Sequence, residues 1–518
     1  MIYQQLIDRG LKRYPEQVAV VFHGQKWTFR QLNVRANRLA NALLDLGLTR
    51  GDRVGILLPN RPEIIEFQFA AAKCGIIRVP LNARLAPREW HFMIQDSGMS
   101  ALILNHDFYE RLTEYLPRMS APQHLVFVGE PPAGHPGYEE FISRASETDP
   151  RVPVNEEDIC AIGYTSGTTG MMKGVMWTYR SRVAANTHAM AELIQPREGD
   201  AMLHVCPLTH ASGLYVMPHY IRGARNVILE RFDVESFLET VEQERITATW
   251  VVPTILRRLV DDPGTSKYDL SSLHTVIFGG SPITVDTLLK AYRLLGPRLV
   301  QIYGLFEANT PVLVTRVESM VDENPSPDNP RLLAAGRGII NVALRLVDEN
   351  GHDVPLGQVG ELVVRGPNVM TGYWNNPEET ARVLRDGWLH TGDMAQEDEK
   401  GFFYLVERKK DMIISGGFNI YSREVEEALC SHPAVVESAV IGVPDPEWGE
   451  SVKAFVVLKE GHRVTPDELI SHCAGLVAGY KKPRSIEIVP ELCRNPTGKL
   501  DKKRLREPYW KGRKRRIN

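Results

Sequence analysis

Cysteine is sparse and scattered. The 518 residues hold six, at positions 74, 160, 206, 430, 473 and 493, and no two form a Cys-x-x-Cys pair. That spacing excludes the common zinc modules and offers no disulfide framework. Free thiols suit a reducing cytosol, which is the location expected. No apolar run approaches the roughly 20 residues needed to cross a bilayer, so no transmembrane segment is expected. Neither sign of charge dominates: 61 Lys and Arg stand against 64 Asp and Glu, a net charge of -3. The polyelectrolyte signature of a nucleic-acid binder is therefore missing. The opening stretch MIYQQLIDRGLKRYPEQ lacks the basic start and long apolar core of a secretory signal. RKRRIN, at the other end, carries no peroxisomal or lipidation motif. Internal repeats and low-complexity segments are also absent.

What is present is an ordinary soluble composition, 43% hydrophobic and 24% charged, in a chain too long for one hydrophobic core. Helical and strand patterns alternate through the first two-thirds. FRQLNVRANRLANALLDLGL (29–48) has helical spacing, DRVGILLPN (52–60) reads as a buried strand, and PEIIEFQFAAAKCG (62–75) reads as a helix. HTVIFGGSPIT (274–284) is a strand running into a Gly-rich turn, followed by a helix and the strand RLVQIYG. This alternation predicts α/β architecture, with sheets covered by helices. From about 331, short strands between Gly- and Pro-rich turns predict a β-rich subdomain (331–407) of an N-terminal domain spanning 1–409. A compact α/β domain is expected over 410–518. Residues 480–516 hold fourteen Lys and Arg against four Asp and Glu. The final KGRKRR reads as a solvated tail; YKKPR and PTGKLDKKR are less easily dismissed.

The stretch YTSGTTGMMKGV (164–175) gathers four aliphatic hydroxyls, three glycines and one lysine. Backbone N–H and hydroxyl donors in such a loop can converge on phosphate oxygens, with Lys173 adding positive charge. The common nucleotide loop ends in Gly-Lys-Ser/Thr, whose hydroxyl holds magnesium. Here Gly174 follows the lysine, so a metal would have to be held elsewhere. A Ser/Thr/Gly cluster also suits a surface linker, and the loop alone does not decide. Four further stretches carry chemistry in one order. QIYGLFEAN (301–309) puts a ring beside a carboxylate, and DGWLHTGD ends on Asp393. Arg408, Lys409, Lys410 and Asp411 precede a Gly-Gly turn, and NPTGKLDKK places Lys499 on a turn.

In this combination the sequence resembles an acyl-CoA synthetase of the adenylate-forming superfamily, which also holds luciferases and peptide-synthetase adenylation domains. The resemblance runs from FRQLNVRANRLANAL to PTGKLDK. It implies a large N-terminal domain and a small mobile C-terminal domain hinged at Lys410. It also implies a two-step reaction using ATP, magnesium and coenzyme A. A carboxylate attacks the α-phosphorus of ATP to give acyl-AMP and pyrophosphate, and a thiol then displaces AMP. Thr165, Ser166, Gly167, Thr168, Thr169, Gly170 and Lys173 match the family's phosphate loop. Gly279, Gly280 and Ser281 match its adenine-side turn. Tyr303, followed by Gly304, matches the ring stacked on adenine, and Glu307 the carboxylate that holds magnesium. Asp393 and Arg408 match the groups bonding the ribose. Lys499 matches the mobile lysine bridging carboxylate and α-phosphate, and His210 in PLTHASG a gate beside the acyl pocket. Gly416 and Gly417 match the turn lining the pantetheine tunnel, with Lys481, Lys482 and Arg484 as basic groups for CoA phosphates.

Three positions depart from the family pattern. Met171-Met172 replaces a residue followed by proline, Ser422 replaces a proline, and Phe306 stands where Thr or Ser normally donates to the α-phosphate. Phe306 therefore either removes a catalytic hydroxyl or reshapes the acyl pocket. The pocket is expected from 210–215, 250–256, 279–283 and 303–313, with Trp250, Phe278 and Phe306 making it apolar. That favours a fatty or aryl acid over an amino acid. The sequence reads as a small-molecule acid–CoA ligase without nucleic-acid partner, and a homodimer is compatible with it. Two alternatives stay open: a stand-alone adenylation enzyme that loads a carrier protein, and a degenerate, non-catalytic nucleotide binder.

Overall fold

The computed structural model describes residues 2–120, 122–165, 172–309, 311–321, 326, 329–408, 411–415, 418–495 and 499–511, with the backbone alone at 407, 408 and 419. The helices begin and end where local chemistry directs. Thr28 and Gln31 form a reciprocal capping box that starts the helix Phe29–Asp45. Pro62 opens the helix Pro62–Cys74, and Gly75, in the left-handed region at φ 72°, closes it. All thirteen residues of that helix are buried, and its polar members are paired: Glu63 with Arg61, Glu66 with Arg35, Gln68 with Tyr3 and Lys73 with Asp149.

Among the described residues the strands form four sheets. The first has nine strands. Their order is Arg337–Gly338, Leu313–Arg316, Leu299–Tyr303, Thr275–Gly279, Ala248–Val251, Ala201–His204, Arg225–Ile228, Val18–Phe22, Gln25–Thr28. Its interior is parallel and its edges antiparallel. The second sheet has seven strands. It runs Gly372–Tyr373, Lys173–Thr178, Ile159–Thr165, Ile77–Pro80, Arg53–Leu57, Ala101–Asn105, His124–Val128. Mostly apolar, buried strands such as Arg53–Leu57 and Ala101–Asn105 are what parallel pairing between helix layers requires. The alternation read from the sequence thus yields helix-covered α/β sheets.

The third sheet is antiparallel and holds the segment of short strands: Ala343–Val347, Gly360–Arg365, Trp388–Glu397, Leu384–Arg385 and Phe403–Arg408. Its buried residues Leu346, Leu362, Val364 and Leu389 share a core with the second sheet's neighbourhood. The fourth sheet takes Phe418–Ile420, Ile413–Ser415, Gly449–Leu458, Val435–Asp445 and Ser485–Ile488. Its core clusters contain no residue before Ile413. The described helices include none long and apolar enough to cross a membrane.

Candidate active site

Each sheet contributes one part to a common region. The first sheet supplies two adjacent strand ends, Thr275–Gly279 and Leu299–Tyr303, which pair in parallel. A Cβ on Gly279 would stand 2.4 Å from the Ile302 carbonyl oxygen, so only glycine lets these strand ends close. Gly280 then turns the chain at φ 84° into the half-buried Ser281. Beyond Tyr303, Gly304 leads into the short helix Phe306–Ala308.

The third sheet brings Asp393 to the end of the first. Tyr303 donates its hydroxyl to Asp393 Oδ2 at 2.6 Å, across 90 residues of sequence. That is the short range of a charge-assisted O–H···O⁻ bond. Asp393 is 9% exposed and pairs in strand register with Arg408, whose side chain lies outside the described residues. Glu307 Oε1 accepts from the Tyr373 hydroxyl at 2.8 Å. Burial, followed by the neighbouring Glu307 charge, keeps that phenol well above its ordinary value, so it remains a donor.

The second sheet supplies Thr165 and Lys173, which face each other where the antiparallel strands Ile159–Thr165 and Lys173–Thr178 meet. The intervening Ser166, Gly167, Thr168, Thr169, Gly170 and Met171 lie outside the described residues. Lys173 is not turned to an open phosphate site. Its ammonium is held by Glu379 on the helix Pro377–Val383 and stands 5.2 Å from the Tyr373 ring centroid. Arg382 donates twice to the same carboxylate at 2.7 Å. Those bonds, ahead of the one from Lys173, hold Glu379 down at about 2. In this arrangement Lys173 pins the base of the loop to a helix, and a phosphate would compete with Glu379 for it.

The fourth-sheet unit supplies Lys499. Its backbone is clamped by Asn495, which bonds it through both main chain and side chain. The Lys499 Cε lies 4.0 Å from where a Cβ on Gly280 would stand. Arg257, on the first sheet's side, reaches Glu437 of the fourth sheet at 3.9 Å, and Arg494 binds the same carboxylate. Lys410, Gly416 and Gly417 lie outside the described residues. Lys481 is occupied by Glu424 at 2.7 Å, whereas Lys482 and Arg484 face solvent.

The ring of Phe306 packs at a tilt against His210, centroids 4.6 Å apart, and against Trp177, centroids 4.9 Å apart. The Trp177 indole N–H donates to the Phe306 carbonyl at 2.9 Å. These three rings line one cavity with the 208–214 stretch. Phe306 is therefore a wall of the cavity. Burial first, then the charges of Lys499 and Arg84, push His210 down to about 3. It is a neutral ring at physiological pH, suited to packing and hydrogen bonding. Two expected wall residues are elsewhere: Trp250 and Phe278 sit in the core of the first sheet. Those strands are covered on both faces, so an aromatic there packs inward against helices. Residues not singled out from the sequence line the cavity instead, among them Trp177, Gln68, Arg78 and Arg182. A charged residue inside the apolar run CGIIRVPLN was the available signal for Arg78.

Comparison with known proteins agrees with this geometry. The family described as AMP-binding enzyme matches residues 7–374, and the AMP-binding enzyme C-terminal domain matches 424–499. A feruloyl-CoA synthase of Amycolatopsis sp is 39% identical over 97% of this chain and 98% of its own. A medium/long-chain-fatty-acid–CoA ligase of Mycobacterium tuberculosis is 35% identical over 99% of this chain and 91% of its own. Among solved structures, the amide bond synthetase McbA from Marinactinospora thermotolerans superposes with a TM-score of 0.88 at 31% identity, covering 98% of this chain and 100% of that one. With both family regions matched in order and relatives aligned nearly end to end, the chain belongs to the AMP-binding enzyme family.

Proposed function

We propose that the chain is an ATP-dependent carboxylic acid–CoA ligase. The substrate carboxylate attacks the α-phosphorus of ATP, pyrophosphate leaves, and the thiol of CoA then displaces AMP from the acyl-adenylate. The observation that carries this reading is the approach of Lys499 to Gly280 and His210, beside the bonded pair Tyr303–Asp393. A cation from one unit thereby reaches the turn of another, and its charge is felt at the nearby ring of His210. Lys499 is suited to hold the carboxylate against the α-phosphate, where negative charge accumulates. Tyr303 offers a ring to adenine, and Asp393 with Arg408 offers partners to the ribose hydroxyls. The loop from Thr165 to Gly170 would cradle the phosphates.

Glu307 fits a magnesium ion that arrives with ATP. It is a single carboxylate with one oxygen already accepting from Tyr373, and the described residues hold no cluster of three or more metal-binding side chains. Magnesium is commonly held in this way, by one or two carboxylates plus substrate phosphates. When bound it supplies neutralisation of phosphate charge. The same rings that surround Phe306 favour a fatty or aryl carbon skeleton for the acid.

Lys499 and the Gly416-Gly417 turn belong to one unit but to different steps. Domain rotation about Lys410, between a body of 1–409 and a unit of 410–518, reconciles them. Lys482 and Arg484 remain toward solvent as basic groups for CoA phosphates. A cytosolic setting suits the free thiols.

Pyrophosphate release across a panel of carboxylic acids tests the first step. CoA, a carrier protein and simple amines offered as acceptors to the preformed adenylate test the second. Thioester formation with CoA is the expected result. Absence of pyrophosphate release with every acid would favour the non-catalytic binder.

A further inference from the structure

The cavity beside Phe306 and His210 is also lined by two arginines, and no Asp or Glu is among its lining residues. Arg78 lies on the strand Ile77–Pro80, in the interior of the second sheet. Its neighbours Ile77 and Val79 point into the core on one face, so the pleat sends Arg78 to the opposite face. There it lines the cavity. Its guanidinium makes no hydrogen bond, ion pair or ring contact with any described residue. Burial, then the charge of Arg182, lowers its proton affinity; the further influences are Cys160, Tyr3 and Tyr179, and no carboxylate is among them.

Arg182 is 8% exposed. One of its terminal nitrogens donates to Asn309 Oδ1 at 2.8 Å and its plane lies over the Trp177 ring, while its Nε has no partner. Asn309, 2% exposed, has its Nδ2 likewise without a partner. Both residues line the same cavity. The cavity is narrow, about 30 Å³, or room for about two water molecules.

A buried cation costs stability unless an anion or a set of acceptors compensates it. Here two cations and an amide donor share one small space, and the protein provides no counter-charge. We propose that this end of the cavity is a carboxylate subsite, and that the acid activated by the protein carries a second carboxylate held by Arg78 and Arg182. The inference rests on the ligase reading and narrows its substrate class to dicarboxylic acids with an aliphatic or aryl skeleton. At its present volume the cavity seats the distal carboxylate alone between the two arginines, and the rings of Phe306 and His210 would have to shift to admit the skeleton. Planar guanidinium groups match a carboxylate's two oxygens, and a site built around unpaired donors rejects ligands that lack the acceptor.

The test is a length series of α,ω-dicarboxylic acids and the benzene dicarboxylic acids, each beside its monomethyl ester, in pyrophosphate release with ATP. The ester keeps one reactive carboxylate and loses the distal charge. At the favoured length, kcat/KM for the diacid should exceed that for its ester by about 100-fold. In Arg78→Met this ratio should collapse toward one. Arg78→Met should also raise the melting temperature, because a half-buried charge without a counter-ion is replaced by an apolar chain of similar length. Esters turned over as well as diacids by the wild type would overturn the subsite while leaving the ligase reading intact. So would an unchanged ratio in Arg78→Met. If no acid at all releases pyrophosphate, the ligase reading falls. The subsite is then decided by thermal shift with diacid against ester in both proteins, and lack of a diacid-specific shift in the wild type overturns it.

Discussion

Acid should loosen the loop that carries His210, through a histidine that touches no substrate. His204 is fully buried at the end of the strand Ala201–His204. Its neutral ring donates from Nε2 to Asn226 Oδ1 and accepts from Ser212 Oγ at Nδ1, both at 2.9 Å. Ser212 lies two residues beyond His210 and is itself fully buried. His219, 1% exposed, donates from Nδ1 to the Tyr215 carbonyl at 2.9 Å. Burial pushes both rings down to about 4. Unfolded, each would titrate at the ordinary value of about 6.5. A folded value below the unfolded one means the stability is whole above about pH 6.5 and is lost progressively as pH falls toward 4. At pH 5 the unfolded chain binds nearly one more proton per histidine. At about 1.4 kcal/mol per unit of pH below 6.5, that costs about 2 kcal/mol for each, or about 4 kcal/mol for the pair. His204→Gln removes one titrating group. It should be less stable than wild type at pH 7.5, and that gap should shrink by about 2 kcal/mol at pH 5. Urea unfolding of both proteins at the two pH values measures it. A gap that stays constant with pH would refute the reasoning, since it would mean that His204 is not held neutral by burial.

Lys499→Ala should lower pyrophosphate release by roughly 10²–10³-fold, the usual effect of losing one group aimed at developing charge. Conversion of supplied acyl-adenylate and CoA to thioester should change little, and equal loss in both half-reactions would contradict separate arrangements for the two steps. Glu307→Gln should keep the fold, since an amide oxygen can still accept from Tyr373. It should raise the magnesium concentration needed for half-maximal adenylation by about tenfold or more, because a neutral amide is a poorer ligand for a hard cation; an unaltered magnesium titration would remove Glu307 from that role. Phe306→Thr deletes the ring between His210 and Trp177, so the KM for the acid should change more than the KM for ATP. Stability should fall by less than the roughly 3–5 kcal/mol of a fully buried Phe truncation, and acid KM and ATP KM moving together would show that the ring is not a selective wall.

The fold was legible where pattern and caps agree. The helix spacing over 29–48 produced Phe29–Asp45, and the strand–turn–helix–strand reading over 274–304 matches Thr275–Gly279, Gly280, Val285–Leu295 and Leu299–Tyr303. The resemblance implied that these distant segments share one site, and Tyr303 stands with Asp393 and Gly280 near Lys499. Side-chain pairing was not legible. Lys173 meets Glu379 across 206 residues and Lys481 meets Glu424 across 57, and nothing local selects those carboxylates from the many available. The pocket wall was misread for a related reason. Trp250 and Phe278 sit near pocket-forming turns in sequence, yet their direction is set by the pleat of buried strands. Arg78 escaped notice because a lone arginine in a strand normally marks an edge, and only the sheet order places Ile77–Pro80 inside.

The hydroxyl bridge from Tyr303 to Asp393 has a mechanical side. It joins the end of the nine-stranded sheet to the antiparallel sheet beside it, and Lys499 arrives at the same place from a unit with a core of its own. A nucleotide seated there would act as a keystone, in contact both with the body whose sheets share one core and with the unit that carries Lys499. At about 100 times its dissociation constant such a ligand adds about 2.7 kcal/mol to whatever it binds in the folded state. Here that increment is shared by several sheets at once. Unfolding that proceeds in separate steps without nucleotide is therefore expected to merge toward a single transition when the site is filled.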